Sequence, residues 1–124
     1  MEIKKILVVD DEETIRSVFE SIFERIYKES YQVSIVKSGK EAIKKLKEEN
    51  FDVVFIDILM PEMDGIDTLK ALKKIKPNII AIMMTGLIDE NIRETAMKLG
   101  AVDYIHKPFE LSELQTVLDK LTER

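Results

Sequence analysis

Five side chains in this chain share a position in the sequence pattern. Each follows an apolar run at a distance of one or two residues. Asp10 and Asp11 follow Ile6-Leu7-Val8-Val9, and Asp57 follows Val53-Val54-Phe55-Ile56. Thr85 follows Ile79-Ile80-Ala81-Ile82-Met83-Met84, and Lys107 comes two residues after the run Val102 to Ile105. If those runs are parallel strands, the residues just past them meet at one edge of the sheet, where ligands of open α/β sheets bind. Three carboxylates that close repel and do not all stay ionised unaided. A hard divalent cation resolves the conflict. Mg²⁺ takes oxygen ligands, binds through one or two carboxylates plus a phosphoryl oxygen, and keeps several waters. Mn²⁺ could substitute. Lys107 adds a compact positive charge, and Thr85 one hydroxyl donor. Such a set neutralises charge on a transferring phosphoryl group while a carboxylate oxygen attacks it.

Each residue also has an ordinary structural role open to it. Asp10 or Asp11 could cap a helix, since aspartate is favoured there. Asp57 could be a turn residue, Thr85 a cap, and Lys107 a surface residue. It is the joint placement at four strand ends that points to chemistry.

The elements that must hold these residues alternate in type. After the first run, Ile15, Val18, Phe19, Ile22, Phe23 and Ile26 mark one face of a helix. A second strand spans Tyr31 to Val36. Ser38 and Glu41 form a Ser-x-x-Glu capping box, opening a helix with the stripe Ala42, Ile43, Leu46 and a stop near Asn50. The third run leads into a loop with Pro61 and Gly65. A third helix then carries Ile66, Leu69, Leu72 and Ile75, and Pro77 stops it. A fourth helix starts near Asp89 and ends at Gly100. The last carries Leu111, Leu114, Val117, Leu118 and Leu121. Five strand–helix units imply an α/β fold, an open parallel sheet with five helices covering both faces. Near-continuous apolar strands agree with that, because such a sheet is buried on both sides.

With 124 residues the chain is expected to be one domain, residues 1–124. It is 45% hydrophobic and 35% charged, a globular balance. It has no cysteine, which excludes disulfides and thiolate metal sites and suits a reducing compartment. No apolar run approaches membrane-spanning length, and the start of the chain lacks the form of a secretory signal. A cytoplasmic protein with no membrane contact is therefore expected. A net charge of −5 argues against direct contact with nucleic acid. Lysines at 44, 45 and 47 and at 70, 73, 74 and 76 are expected on solvated helix faces.

The chain resembles response-regulator receiver domains, the phosphoacceptor domains of two-component signalling, over nearly its whole length. The resemblance rests on Asp10-Asp11 after the first strand and on Asp57-Ile58-Leu59-Met60-Pro61-Glu62-Met63-Asp64-Gly65. It also rests on Met84-Thr85-Gly86, on Gly100-Ala101 with Tyr104, and on Lys107-Pro108-Phe109. It implies a doubly wound, flavodoxin-like sheet of order 2-1-3-4-5. It implies that Asp57 accepts the phosphoryl group from a histidine kinase or histidine phosphotransfer protein. Asp11, Asp57 and the Leu59 backbone carbonyl would ligate Mg²⁺, with Asp10 acting through water. Lys107 would hold the phosphoryl group, and Thr85 with Tyr104 would form the switch. The first helix, with Ile15, Val18 and Phe19, packs the core and in part meets the kinase in relatives; core is the reading taken for these positions. The face of the fourth helix, fifth strand and fifth helix would be the surface for an output partner or a dimer. The Lys107–Pro108 peptide bond is expected to be cis.

The sequence departs from the pattern at Leu59 and Leu87, where relatives carry polar residues that orient the hydrolytic water. Two leucines imply a long-lived phospho-state. Gly86 stands where alanine is also common. An aspartate-nucleophile phosphatase of the haloacid dehalogenase type uses similar groups, but needs a second acid where Leu59 stands and more chain for a substrate pocket. A receiver-like docking module that is never phosphorylated is a further alternative. The chain is thus expected to be a switch that catalyses its own phosphorylation and dephosphorylation, not a turnover enzyme. His106, the single histidine, is expected at the surface, and Met83 and Met84 in the core.

Overall fold

The computed structural model describes residues 3–86 and 89–122; Leu87 lies outside them. Strands β1 (Lys5–Val9), β2 (Gln32–Val36), β3 (Val53–Asp57), β4 (Ile80–Thr85) and β5 (Ala101–His106) alternate with helices. The helices are α1 (Glu13–Arg25), α2 (Gly39–Glu48), α3 (Gly65–Ile75), α4 (Glu90–Lys98) and α5 (Leu111–Thr122). The strands form one parallel sheet in the order β2-β1-β3-β4-β5. The order reverses between β1 and β3, so the residues after those two strands flank the crevice.

Two apolar layers follow from the period of two along each strand. Leu7, Val9, Val54, Ile56, Ala81 and Met83 face α2, α3 and α4. Ile6, Val8, Val53, Phe55, Ile82 and Met84 face α1 and α5. Phe19 of α1 packs, with tilted rings, between Phe55 in the sheet and Phe109, just past the Lys107 loop. Burying two aromatic faces there is worth several kcal/mol by area, roughly 2–3 per ring.

The helix ends are set by side chains. The Ser38 hydroxyl accepts from the Glu41 N–H, while Glu41 reaches the Lys37 N–H, one residue before the position a capping box requires. Asp64 caps α3, and Asp89 caps α4 by accepting from the Asn91 and Ile92 N–H groups. Ser38→Ala is expected to cost about 1 kcal/mol, read from the urea midpoint.

Three expectations are corrected. Val18 of α1, Ile26 just past its end, Ile75 at the end of α3 and Leu111 at the start of α5 are exposed; three of the four sit at or past helix ends, which apolar spacing alone does not locate. Tyr31 precedes β2 and instead packs its ring against Phe23 and Tyr27. Lys73 and Lys76 are not simply solvated. Lys73 donates to the Ile79 carbonyl at 2.7 Å, and Lys76 to the Phe51 carbonyl, tying the end of α3 to the sheet.

Candidate functional site

The ends of β1, β3, β4 and β5 deliver the expected residues to one edge. Register fixes this: Val9 pairs with Ile56, and Asp57 with Met84, so Asp10, Asp57 and Thr85 end up side by side. The Lys107 N–H donates to the Thr85 carbonyl at 2.8 Å, which carries the β4–β5 pairing one step past His106. The Lys107–Pro108 bond is cis, as expected. His106 is exposed, on the opposite side from the buried Lys107.

The loop after Asp57 is closed by backbone contact. The Gly65 N–H donates to the Ile58 carbonyl at 2.8 Å. A Cβ on Gly65 would stand 2.3 Å from the Asp57 carbonyl oxygen and 2.6 Å from the Ile58 Cα. Only glycine permits that approach. Gly86 has open space around it, so an alanine would be accommodated there.

Asp10, Asp57, Thr85 and Lys107 are buried; Asp11 is not. Asp10 also has a local role, its Oδ1 accepting from the Glu12 N–H at 2.9 Å at the start of α1. The Lys107 ammonium contacts three carboxylates: Asp10 Oδ2 at 2.7 Å, Glu12 Oε1 at 2.9 Å and Asp57 Oδ2 at 3.3 Å. Its contact with Glu12 has hydrogen-bond geometry, whereas Asp10 Oδ2 and Asp57 Oδ2 receive no well-directed donor. Both face the ammonium as ion-pair partners.

Burial pushes the Asp57 carboxyl up to about 7; the Asp10 charge adds to the rise and Lys107 opposes it. Burial works against the charge on Lys107, but its contacts with Asp10 and Glu12 prevail and hold its pKa above the usual lysine value. Burial also raises the Tyr104 phenol, with a hydrogen-bond contact to the Thr85 side chain opposing it. The two expected switch residues are thus already in contact.

Oxygens of Asp10, Asp11 and Asp57 lie within 4.8 Å of one another. Two buried carboxylate oxygens without directed donors, beside a third carboxylate, fit a hard, oxygen-seeking divalent cation. Glu12, Leu59, Gly86 and Pro108 line a hollow of about 340 Å³ over Asp57 and Lys107, and Leu59 is largely exposed on its rim. Glu12 escaped the sequence reading. Its signal was a third consecutive acid, Asp10-Asp11-Glu12, but sequence could not say which way it turns.

Comparison with known proteins matches this geometry to one family. The response regulator receiver domain model matches residues 6–119. The chain is 38% identical over 120 residues to the chemotaxis protein CheY of Thermotoga maritima, covering 96% of this chain and 98% of that protein. It is 36% identical over 115 residues to the transcriptional regulatory protein ZraR of Escherichia coli, of which it spans only 25%. Among solved structures, a CheY-like receiver domain protein from Methanospirillum hungatei superposes with a TM-score of 0.88 at 30% identity. That match covers 98% of this chain and 94% of the other. No helix among the described residues is long and apolar enough to cross a membrane. Sheet order, the acid cluster at the switch point and the family match agree: the chain belongs to the response regulator receiver domain family, whose members are phosphorylation-activated signalling switches rather than turnover enzymes.

Proposed function

We propose that Asp57 is the phosphoacceptor and that the donor is a phosphohistidine on a histidine kinase or phosphotransfer protein. The observation that carries this is Asp57 itself. It is a buried carboxylate with one oxygen lacking a directed donor, opening onto a hollow and facing a buried lysine. In the transfer, a carboxylate oxygen of Asp57 attacks phosphorus, the bond to the donor imidazole nitrogen breaks, and the imidazole leaves with that electron pair. Lys107 holds the phosphoryl oxygens. Thr85 donates its single hydroxyl hydrogen to one of them and can still accept from Tyr104. Tyr104 follows Thr85, so a local charge change biases the packing of a ring on β5.

Asp11 and Asp57, with the Leu59 carbonyl, would hold Mg²⁺ directly, and Asp10 would act through water. When bound, the cation supplies positive charge against the acid cluster and the phosphoryl oxygens. The partner surface is the face of α4, β5 and α5, where Arg93, Met97, Asp103, Tyr104 and Lys120 line a hollow of about 210 Å³. An output partner, an output domain or a second copy would dock there. The unit is one receiver domain over residues 1–124, working in the cytoplasm without touching nucleic acid.

Intact mass after incubation with a small phosphodonor and Mg²⁺ tests the assignment. The parent gains one phosphoryl group, and Asp57→Ala or metal removal abolishes the gain. A parent that stays unlabelled where a known receiver is labelled would make this a docking module.

The two leucines carry a second prediction. Leu59 on the rim of the hollow cannot orient a water, and Leu87 is expected to act with it. Leu59→Asn combined with Leu87→Glu should speed loss of the phosphoryl group by roughly tenfold or more. An unchanged rate would show that neither leucine prolongs the phospho-state.

A further inference from the structure

Lys107 has three N–H donors and three carboxylates around it. Three carboxylates therefore compete for its charge before any phosphoryl group arrives. The three partners differ in how they can let go. Asp10 is fully buried, and its other oxygen is pinned by the Glu12 N–H. Asp57 is buried and is the group to be modified. Glu12 takes the directed hydrogen bond, yet its side chain is 54% exposed. An exposed carboxylate exchanges a protein contact for water at little cost, whereas a buried one cannot.

Resting on the Asp57 assignment above, we propose that Glu12 is a releasable counter-ion. It holds the Lys107 ammonium toward the mouth of the site in the resting state and yields it to the phosphoryl group on Asp57. Glu12 is then a positioning residue, acting through Lys107. It sets how readily the lysine turns from the resting contact to the phosphorylated centre. The resting contact competes with phosphoryl binding, so weakening it favours the phospho-like state. The role is separable from helix structure. Glu12 is the N-cap residue of α1, but its side chain makes no capping hydrogen bond.

The test is titration of the Mg²⁺-loaded protein with beryllofluoride, a phosphoryl mimic, followed by ¹⁹F NMR. Glu12→Gln should bind the mimic roughly threefold to tenfold more tightly than the parent. Glu13→Gln makes the same change of net charge one residue further along α1, away from Lys107. It should stay within about 1.5-fold of the parent, since charge at a distance is screened. Glu12→Asp, one methylene shorter, should fall between Glu12→Gln and the parent. Thermal midpoints should agree among all four proteins. Equal affinities for Glu12→Gln and Glu13→Gln, or weaker binding by Glu12→Gln, would overturn the counter-ion role and leave the Asp57 assignment standing. A parent that binds no mimic in Mg²⁺ would overturn both.

Discussion

Metal-free Asp57→Asn should be more stable than the parent at pH 8 and should lose the parent's decline in stability between about pH 4 and pH 7. Burial and the Asp10 charge lift the Asp57 carboxyl from an ordinary 3.8 to about 7 in the folded protein. Between those values the folded state binds a proton that the unfolded state has already released. Stability therefore falls as pH rises through that window and levels off above it. A shift of this size corresponds to about 4 kcal/mol at full weight. Relaxation and water entry around the site reduce the expected difference to roughly 1–3 kcal/mol. Asparagine keeps the shape and removes the charge, so the variant's advantage should be near zero at pH 4 and complete above pH 7. Mg²⁺ should stabilise the parent by mass action and the variant much less. Urea midpoints across this pH range, with chelator and with Mg²⁺, measure all of this. Parallel pH profiles for the two proteins would show that Asp57 is not strained in the fold.

Gly65→Ala should be among the most damaging single changes outside the acid cluster. The added Cβ would stand 2.3 Å from the Asp57 carbonyl oxygen and 2.6 Å from the Ile58 Cα, both backbone atoms that cannot swing aside. Relief requires moving the start of α3 or the end of β3, and it breaks the Gly65 N–H bond to the Ile58 carbonyl. A cost of about 3 kcal/mol or more is expected, together with a fall in phosphoryl labelling because Asp57 moves with its backbone. Gly86→Ala, with nothing within 4 Å of its new Cβ, is the contrasting change and should be close to neutral. A Gly65→Ala cost below about 1 kcal/mol would mean that the loop closing the site is free to shift.

Much of the molecule is legible from residue types. The period of two in Ile6-Leu7-Val8-Val9 and Val53-Val54-Phe55-Ile56 assigns alternate residues to the two sheet faces, because neighbouring side chains on a strand point to opposite faces. Ser38 and Asp89 mark helix starts, because their short side chains can accept from free N–H groups one turn ahead. Asp10, Asp11, Asp57, Thr85 and Lys107 were legible as a set because parallel strands gather their C-terminal ends at one edge.

Other features have no local signature. Val18 and Ile26 read as core residues in a one-dimensional pattern, yet both stay exposed, Ile26 lying just past the end of α1 at Arg25. Lys73 and Lys76 read as solvated charges, yet the loops beyond α3 and α2 bring backbone carbonyls within their reach. Residue types sufficed to gather Asp10, Asp57, Thr85 and Lys107, because each follows an apolar run and runs alternating with helices pair in parallel. How Lys107 divides its charge among Asp10, Glu12 and Asp57 has no local signature, because it depends on distances between three separate loops. Tertiary packing also leaves Glu12, unlike its two competitors, facing water.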